Sequence, residues 1–344
     1  MDRTFEFNIR QHVYSLPGMI TDASKAIVHE SWALAEKINF SAYHKIVLVC
    51  DRDYFSAAVS VAPSLQSATG VYVEILQAQE VLSLSRDTNK PASEYQDSLV
   101  FYLFPMLSAP SMAVMDYLRL QGAYIICVTN HQLPHDFKHA DTVMVLTIPP
   151  MRTNLPIRNY TLAVLVFLVL ARAIDVKNHG AGKTIRTVLI DEIKKEAFQL
   201  AHAINDIDSA ILNFVHGISI DSDITFIGEN TDYASACLSD HYCSQYLHRT
   251  SQLIDGDYTT NELSLSTDSC AILFTSIRNP AHSKSKSVIC ANTIPVKNVC
   301  VVTDDHSITG SNRCSVIHTP PTSKDYSQLF HAIVPALLIK YLFP

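Results

Sequence analysis

The chain has 344 residues, 48% of them hydrophobic and 17% charged. That is enough for two domains or one large α/β domain, and too apolar for native disorder. Lysine and arginine number 26 against 33 aspartate and glutamate, a net charge of −7 with histidine neutral. Such a surface repels nucleic acid and anionic lipid, and the basic clusters are short (Lys194-Lys195; Lys284 with Lys286), so no nucleic-acid or membrane partner is expected.

Met1 is followed by Asp2, Arg3 and Glu6 with no apolar stretch, which predicts no secretory signal. Residues 22–38 carry Ile27, Trp32, Leu34, Ala35 and Ile38 at helical spacing, with Thr21 or Asp22 as cap. HKIVLVC (44–50) reads as a strand, and DRDYFSAAVSVAPSLQS after it as a turn into a helix. Further strands are expected at 71–76, 98–104, 123–130 and 142–148, with a helix near 111–122 closed by Gly122. Apolar strands alternating with helices indicate a parallel sheet covered on both faces.

The rhythm pauses at YTLAVLVFLVLARAI (160–174). About 15 residues interrupted by Arg172 fall short of the roughly 20 that a membrane span needs, so this segment reads as a buried helix. Residues 176–217 follow as a more polar helical linker. Strands then resume at 223–230, 270–276, 296–305 and 314–320, and 326–342 reads as a terminal helix. The fold class is therefore α/β, two tandem Rossmann-like parallel-sheet units: 1–175 with its N-terminal helix, and 218–344 beyond the linker. The eight cysteines (50, 127, 237, 243, 270, 290, 300, 314) form no C-x-x-C and lie mostly in apolar runs. That pattern predicts buried, reduced thiols in a cytoplasmic protein and no zinc site.

Four stretches carry a resemblance to a known family: VLVCDRDYFSAA (47–58), SLVFYLFPMLSAPSMAVMDYLRLQGAYIICVTNHQLPHDFKHAD (98–141), FIGENTDYASA (226–236) with DYTTNEL (257–263), and FHAIVPALLIKYL (330–342). In order and spacing the chain resembles the double sugar-isomerase (SIS) family, which includes the isomerase half of glucosamine-6-phosphate synthase and the fructosamine-6-phosphate deglycases. The resemblance implies a cofactor-independent phosphosugar isomerase, aminosugar-phosphate deaminase or deglycase. It would bind a sugar-phosphate-like molecule and assemble as a homodimer with shared sites. The residues it points to are Arg52, Asp53, Tyr54, Ser108 and Ser111 for substrate binding and Glu262 for catalysis.

The physical logic is that ligands of such sheets sit beyond the carboxyl ends of the strands, where the strand order switches. Helix N-termini there present N–H groups to a phosphate, and a carboxylate moves a proton between adjacent sugar carbons. Several family positions are changed. Leu103-Phe104-Pro105 stands where the family has Ser-Gln-Ser, and Asp51-Arg52-Asp53 where it has Gly-Thr-Ser. No Glu occupies the second unit's helix around Gln245 and Tyr246, and Leu265 replaces the His of the family's HGP loop. A catalytically degenerate relative that senses a sugar phosphate or another metabolite is therefore the alternative, as is a pocket rebuilt for a less anionic ligand.

Two other motifs carry ordinary readings. GAGKT (180–184) has Lys177 where a P-loop needs Gly and follows a helix instead of a strand, so it reads as a helix end and loop. His131, His135 and His139 recur every fourth residue, but Pro134 interrupts any helix that would align them on a metal.

Overall fold

The computed structural model describes residues 3–85, 94–103, 108–130, 133–134, 137–146, 157–179, 185–219, 222–248, 251–255, 269–291, 294–322 and 326–342. Residues 19–194 form one compact unit; residues 1–18 and 195–344 form the other.

The first unit holds a five-stranded sheet of β1 (Lys45–Cys50), β2 (Tyr72–Gln77), β3 (Ser98–Leu103), β4 (Tyr124–Thr129) and β5 (Thr142–Val145), in the order β2-β1-β3-β4-β5. Every pairing is parallel. Because strand side chains alternate, each strand feeds two cores. Val47, Val49, Val100 and Tyr102 pack with Val114, Met115 and Leu118 of α4 (Ala109–Leu120) and Val81 of α3 (Ala78–Ser85). The opposite face is covered by α2 (Arg52–Thr69) and α5 (Ile157–His179), which pack on each other. There Phe101 of β3 meets Phe167 edge-on at 5.1 Å. Gly122 ends the turn after α4 with φ +87°, and a Cβ there would come within 3.2 Å of the Gln96 backbone.

At 23 residues α5 is longer than the apolar run suggested. Its length and its mean hydropathy of 1.7 would suffice to cross a membrane, but 83% of its most apolar window is buried inside the protein. Burial, not length, assigns it to the core, where each such side chain contributes about 1.5–3 kcal/mol.

The second sheet comprises β6 (Ile224–Gly228), β7 (Gln252–Asp255), β8 (Cys270–Thr275), β9 (Asn298–Thr303) and β10 (Cys314–His318), ordered β10-β9-β8-β6-β7 and again parallel throughout. Counted within each unit, both sheets read 2-1-3-4-5. The duplication expected from element order is thus a duplication of topology.

Three boundaries differ from the sequence reading. The first helix, α1 (Arg3–Lys37), begins well before residue 22. Its buried stripe of Ile9, Val13, Leu16, Ile20 and Ile27 runs through Pro17, whose missing N–H removes one bond to the Val13 carbonyl without ending the helix. The terminal helix is two pieces, α9 (Ser327–His331) and α10 (Ile333–Leu342). Pro335 cannot donate to the His331 carbonyl four residues back, which places the break. The short edge strand β7 has no sequence signature, since Gln252-Leu253-Ile254-Asp255 buries none of its residues fully. The remaining helices of this unit are α6 (Ile185–His216, from residue 195 on), α7 (Tyr233–Tyr242) and α8 (His282–Ala291). On α6, Asp208 accepts hydrogen bonds from Tyr14, Lys340 and Tyr341, a polar clasp joining α1, α6 and α10.

All eight cysteines are free; seven are buried and Cys290, on α8, is exposed, contrary to the expectation for apolar runs. Burial pushes the Cys127 and Cys270 thiols up to about 12, so neither supplies thiolate at neutral pH. Native protein should therefore react with a chromogenic disulfide reagent at one thiol in the fast phase, and Cys290→Ser should abolish that phase. Rapid reaction of two or more thiols would contradict the burial.

Candidate functional site

In both sheets the strand order reverses between the first and third strands, so each unit has one crevice beyond the carboxyl ends of that pair. In the first unit the crevice lies between β1 and β3. Asp51 leaves β1 in extended conformation (φ −72°, ψ 162°), and its carbonyl accepts the N–H of Tyr54, opening α2. Arg52, the first residue of α2, is exposed, and Tyr54 is half-buried. Asp53 occupies the same first turn; its side chain lies outside the described part. Across the crevice Ser108 caps α4, its Oγ accepting the Ser111 N–H and lying 3.1 Å from Ser111 Oγ. Pro110 sits in the first turn, where a missing N–H costs nothing.

Five residues named from sequence thus stand at two adjacent strand ends: Arg52, Asp53 and Tyr54 on one side, Ser108 and Ser111 on the other. Glu262, Phe104, Pro105 and Leu265 lie outside the described residues, as do His131, His135 and the GAGKT segment. His139 bonds the Asp116 carboxylate at 2.7 Å. Gln245 and Tyr246 fall in a wide turn, Cys243–Leu247, that continues α7 and carries no carboxylate.

The structure adds residues that sequence reasoning did not single out. Asn130, just past β4, donates to Asn159 Oδ1 of α5 at 2.9 Å, and Asn159 Nδ2 donates to the Tyr54 hydroxyl at 2.8 Å. This chain of amides spans from the end of β4 to the start of α2 and fixes the Tyr54 ring. Tyr102, at the end of β3, reports the same geometry. Burial and then the charge of Asp51 push its phenol well up, while the Ser111 hydroxyl acts in the opposite sense. The only sequence signal for these roles was Asn130, within the Thr-Asn pair of the family block.

The second crevice is built differently. Gly228 ends β6 against the Asp232 carbonyl, 2.5 Å from where a Cβ would stand, so only glycine fits. Asn230 turns the chain through φ +53° and brings Asp232 beneath the strand ends. The Asp232 side chain is fully buried. It accepts the Ser276 N–H at 3.0 Å, the Ser276 hydroxyl at 3.1 Å, Asn279 Nδ2 at 2.5 Å and Gln328 Nε2 at 2.9 Å. The next N–H, that of Ile277, goes to Asp304 Oδ1 at 2.7 Å. These are donors of the kind that a bound anion would recruit, and the chain's own carboxylates take them. Nearby, Thr275 Oγ1 lies 3.0 Å from His282 Nδ1, whose Nε2 is 3.0 Å from Asp305. Lys286 and then Ser307 hold the Asp305 carboxyl well below the usual range. The Thr275 hydroxyl is buried, so this hydroxyl–imidazole–carboxylate series orients the start of α8 and presents no accessible nucleophile.

Asp232→Ala should lower the unfolding free energy by at least about 3 kcal/mol, since two or more charge-assisted bonds worth about 1.5–3 kcal/mol each are lost and their donors left unpaired. Urea denaturation measures it. A loss under about 1 kcal/mol would mean that solvent satisfies these donors equally well.

No protein-family model matches the sequence, and no curated protein matches it. Solved structures do. The C-terminal domain of glucosamine-fructose-6-phosphate aminotransferase from Francisella tularensis superposes with a TM-score of 0.76 at 12% identity, covering 97% of this chain and 94% of that one. Tagatose-6-phosphate ketose/aldose isomerase from Escherichia coli gives 0.68 at 14% identity, covering 97% and 91%. Glucosamine-6-phosphate deaminase from Thermotoga maritima gives 0.61 at 13%, covering 94% and 92%. Over nearly its whole length, the chain has the double parallel-sheet fold of phosphosugar isomerases and aminosugar-phosphate deaminases, the fold that its resemblance to the SIS family implied.

Proposed function

We propose that this chain is a phosphosugar isomerase-like protein that binds a hexose or aminohexose 6-phosphate in the first crevice. The observation that carries the reading is the pairing of two helix N-termini, those of α2 and α4, at the strand-order switch, with Arg52 on the lip. Backbone N–H groups at helix starts hold a phosphate whatever the side chains are, and a guanidinium adds charge and a fork of donors. The activities named for the fold neighbours, ketose/aldose isomerisation and aminosugar deamination, support a sugar phosphate as substrate. Such chemistry is a proton transfer between adjacent carbons, which a side-chain carboxylate performs without a cofactor. Glu262 is the carboxylate we assign to it. The assembly we propose is a cytoplasmic two-fold homodimer that engages neither nucleic acid nor membrane.

A second reading, a binder that senses the same ligand without turnover, is favoured by one observation. Asp232, Asp304 and Asp305 of the second crevice are each committed to internal hydrogen bonds, so none of these three carboxylates is free to move a substrate proton.

Calorimetry with fructose 6-phosphate and glucosamine 6-phosphate tests both. Arg52→Ala should weaken binding by about 10- to 150-fold, the loss of one charge-assisted contact of about 1.5–3 kcal/mol. Ser108→Ala should weaken it by about fivefold, or about 1 kcal/mol, with a similar loss of helix stability from the missing cap. Glu262→Gln should bind normally and abolish turnover if the enzyme reading holds; binding without turnover in the wild type supports the sensor. Wild type that binds neither sugar, or Arg52→Ala that binds as wild type does, removes the first crevice as the site. Light scattering at micromolar concentration, expected to give a dimer, tests the assembly.

A further inference from the structure

The second unit contains a cavity of about 550 Å³, in the range of small-molecule sites, away from its self-filled crevice. It opens between α6 and the carboxyl ends of β9 and β10, two strands from the switch point. Its walls are flat rings. Phe198 stands edge-on to His202 at 4.3 Å, one α6 turn apart, and His306 stacks on His318 at 4.8 Å with planes 12° apart. Pro320 and Pro321 close the end.

Phe198 is 66% exposed although His202 stands edge-on to it, a large apolar side chain left facing solvent. The polar groups of the wall are Gln199, Asp206, Thr319 and the imidazoles. Among the described residues no lysine or arginine lines the cavity, and Asp206 repels anions. Burial and the neighbouring His306 hold His318 below its ordinary value, so the His318 ring is not a cationic substitute at neutral pH. Flat walls suit a flat ligand through offset or edge-on stacking. A carboxylate beside an amide suits a ligand that donates hydrogen bonds, such as an exocyclic amine.

We propose that this cavity is a second ligand site, taking an uncharged, flat, amino-bearing heterocycle of the nucleobase class, separate from the sugar-phosphate crevice of the first unit.

Saturation-transfer NMR and calorimetry with adenosine as the probe test it on the full chain. Adenosine should bind with transfer to its base protons. Phe198→Ala, a change at an exposed side chain, should weaken it by about 2- to 12-fold, the worth of one ring contact. Asp206→Asn should weaken adenosine more than unsubstituted purine riboside, which lacks the amine. Sugar 6-phosphate binding, measured in parallel, should be unchanged in both variants, so failure here is distinguishable from failure at the first crevice. The proposal falls if wild type shows no transfer, or if both variants bind adenosine as wild type does. Tighter binding of adenosine 5′-monophosphate would also overturn it. So would a Phe198→Ala variant that sediments as monomer where wild type is dimeric, because the occupant would then be a second copy of this chain.

Discussion

All pairings in both sheets are parallel, and a parallel sheet is stable only when both faces are covered. That constraint accounts for most of the chain's composition. Strands such as Ser98–Leu103 are buried at every position, so they cannot alternate polar with apolar. The covering helices must be apolar in turn, and α5, wedged against α2 and the back of β3, is apolar on nearly all sides. A helix of this kind passes for a membrane span by composition because the protein interior and the lipid interior make the same demand. Parallel connections also return each strand to the same edge, so every strand-to-helix turn faces one crevice per unit.

The two crevices share a topology and differ in what neutralises their donors. In the second, Asp232 rises from the turn after β6 and meets the Ser276 N–H and hydroxyl, the Asn279 amide and the Gln328 amide. Asn279 is itself aimed by bonds from the Ala281 N–H and Asn230, and Gln328 by Ser235, so the carboxylate sits in a cage whose members hold each other. Buried polar networks of this kind are stable when every member is satisfied and costly when one is removed. In the first crevice the corresponding turn places Asp51 at the helix cap and Arg52 outward. No hydrogen bond from the opening turn of α2 or α4 to a side-chain carboxylate like those that Asp232 accepts is seen among the described residues, and Ser108 caps α4 with a hydroxyl.

The sequence showed the strands because continuous β-branched runs such as KIVLVC and NVCVVT have one physical meaning in a chain of this composition. It placed Arg52, Tyr54, Ser108 and Ser111 correctly at two strand ends, since those positions follow from where strands stop and helices start. It was silent on Asn159 and Asp232. Their roles arise from contacts across 29 and 44 or more residues, Asn130 to Asn159 and Asp232 to Ser276. The 3–21 part of α1 was hidden by Pro17, a residue that reads as a stop although the apolar stripe continues past it. The short strand β7 has too few residues for a period to register. The histidines around the cavity lie far apart in sequence, and only the adjacency of β9 and β10 stacks His306 on His318.

A helix N-terminus binds an anion through backbone groups that no substitution except proline removes. The Leu103-Phe104-Pro105 sequence supplies no hydroxyl and, at Pro105, no backbone donor, while the opening turns of α2 and α4 do not depend on it. Catalysis has no such reserve. A proton carrier must be a titratable group at one place, and its loss costs about 10²- to 10⁴-fold in rate. Divergence in this fold thus erodes turnover faster than affinity. A duplicated chain that has sealed one crevice with its own carboxylate keeps that unit's stability independent of any ligand. On the proposed reading, the first unit's stability would be coupled to ligand concentration by mass action. That asymmetry is what a sensor needs and what an isomerase tolerates.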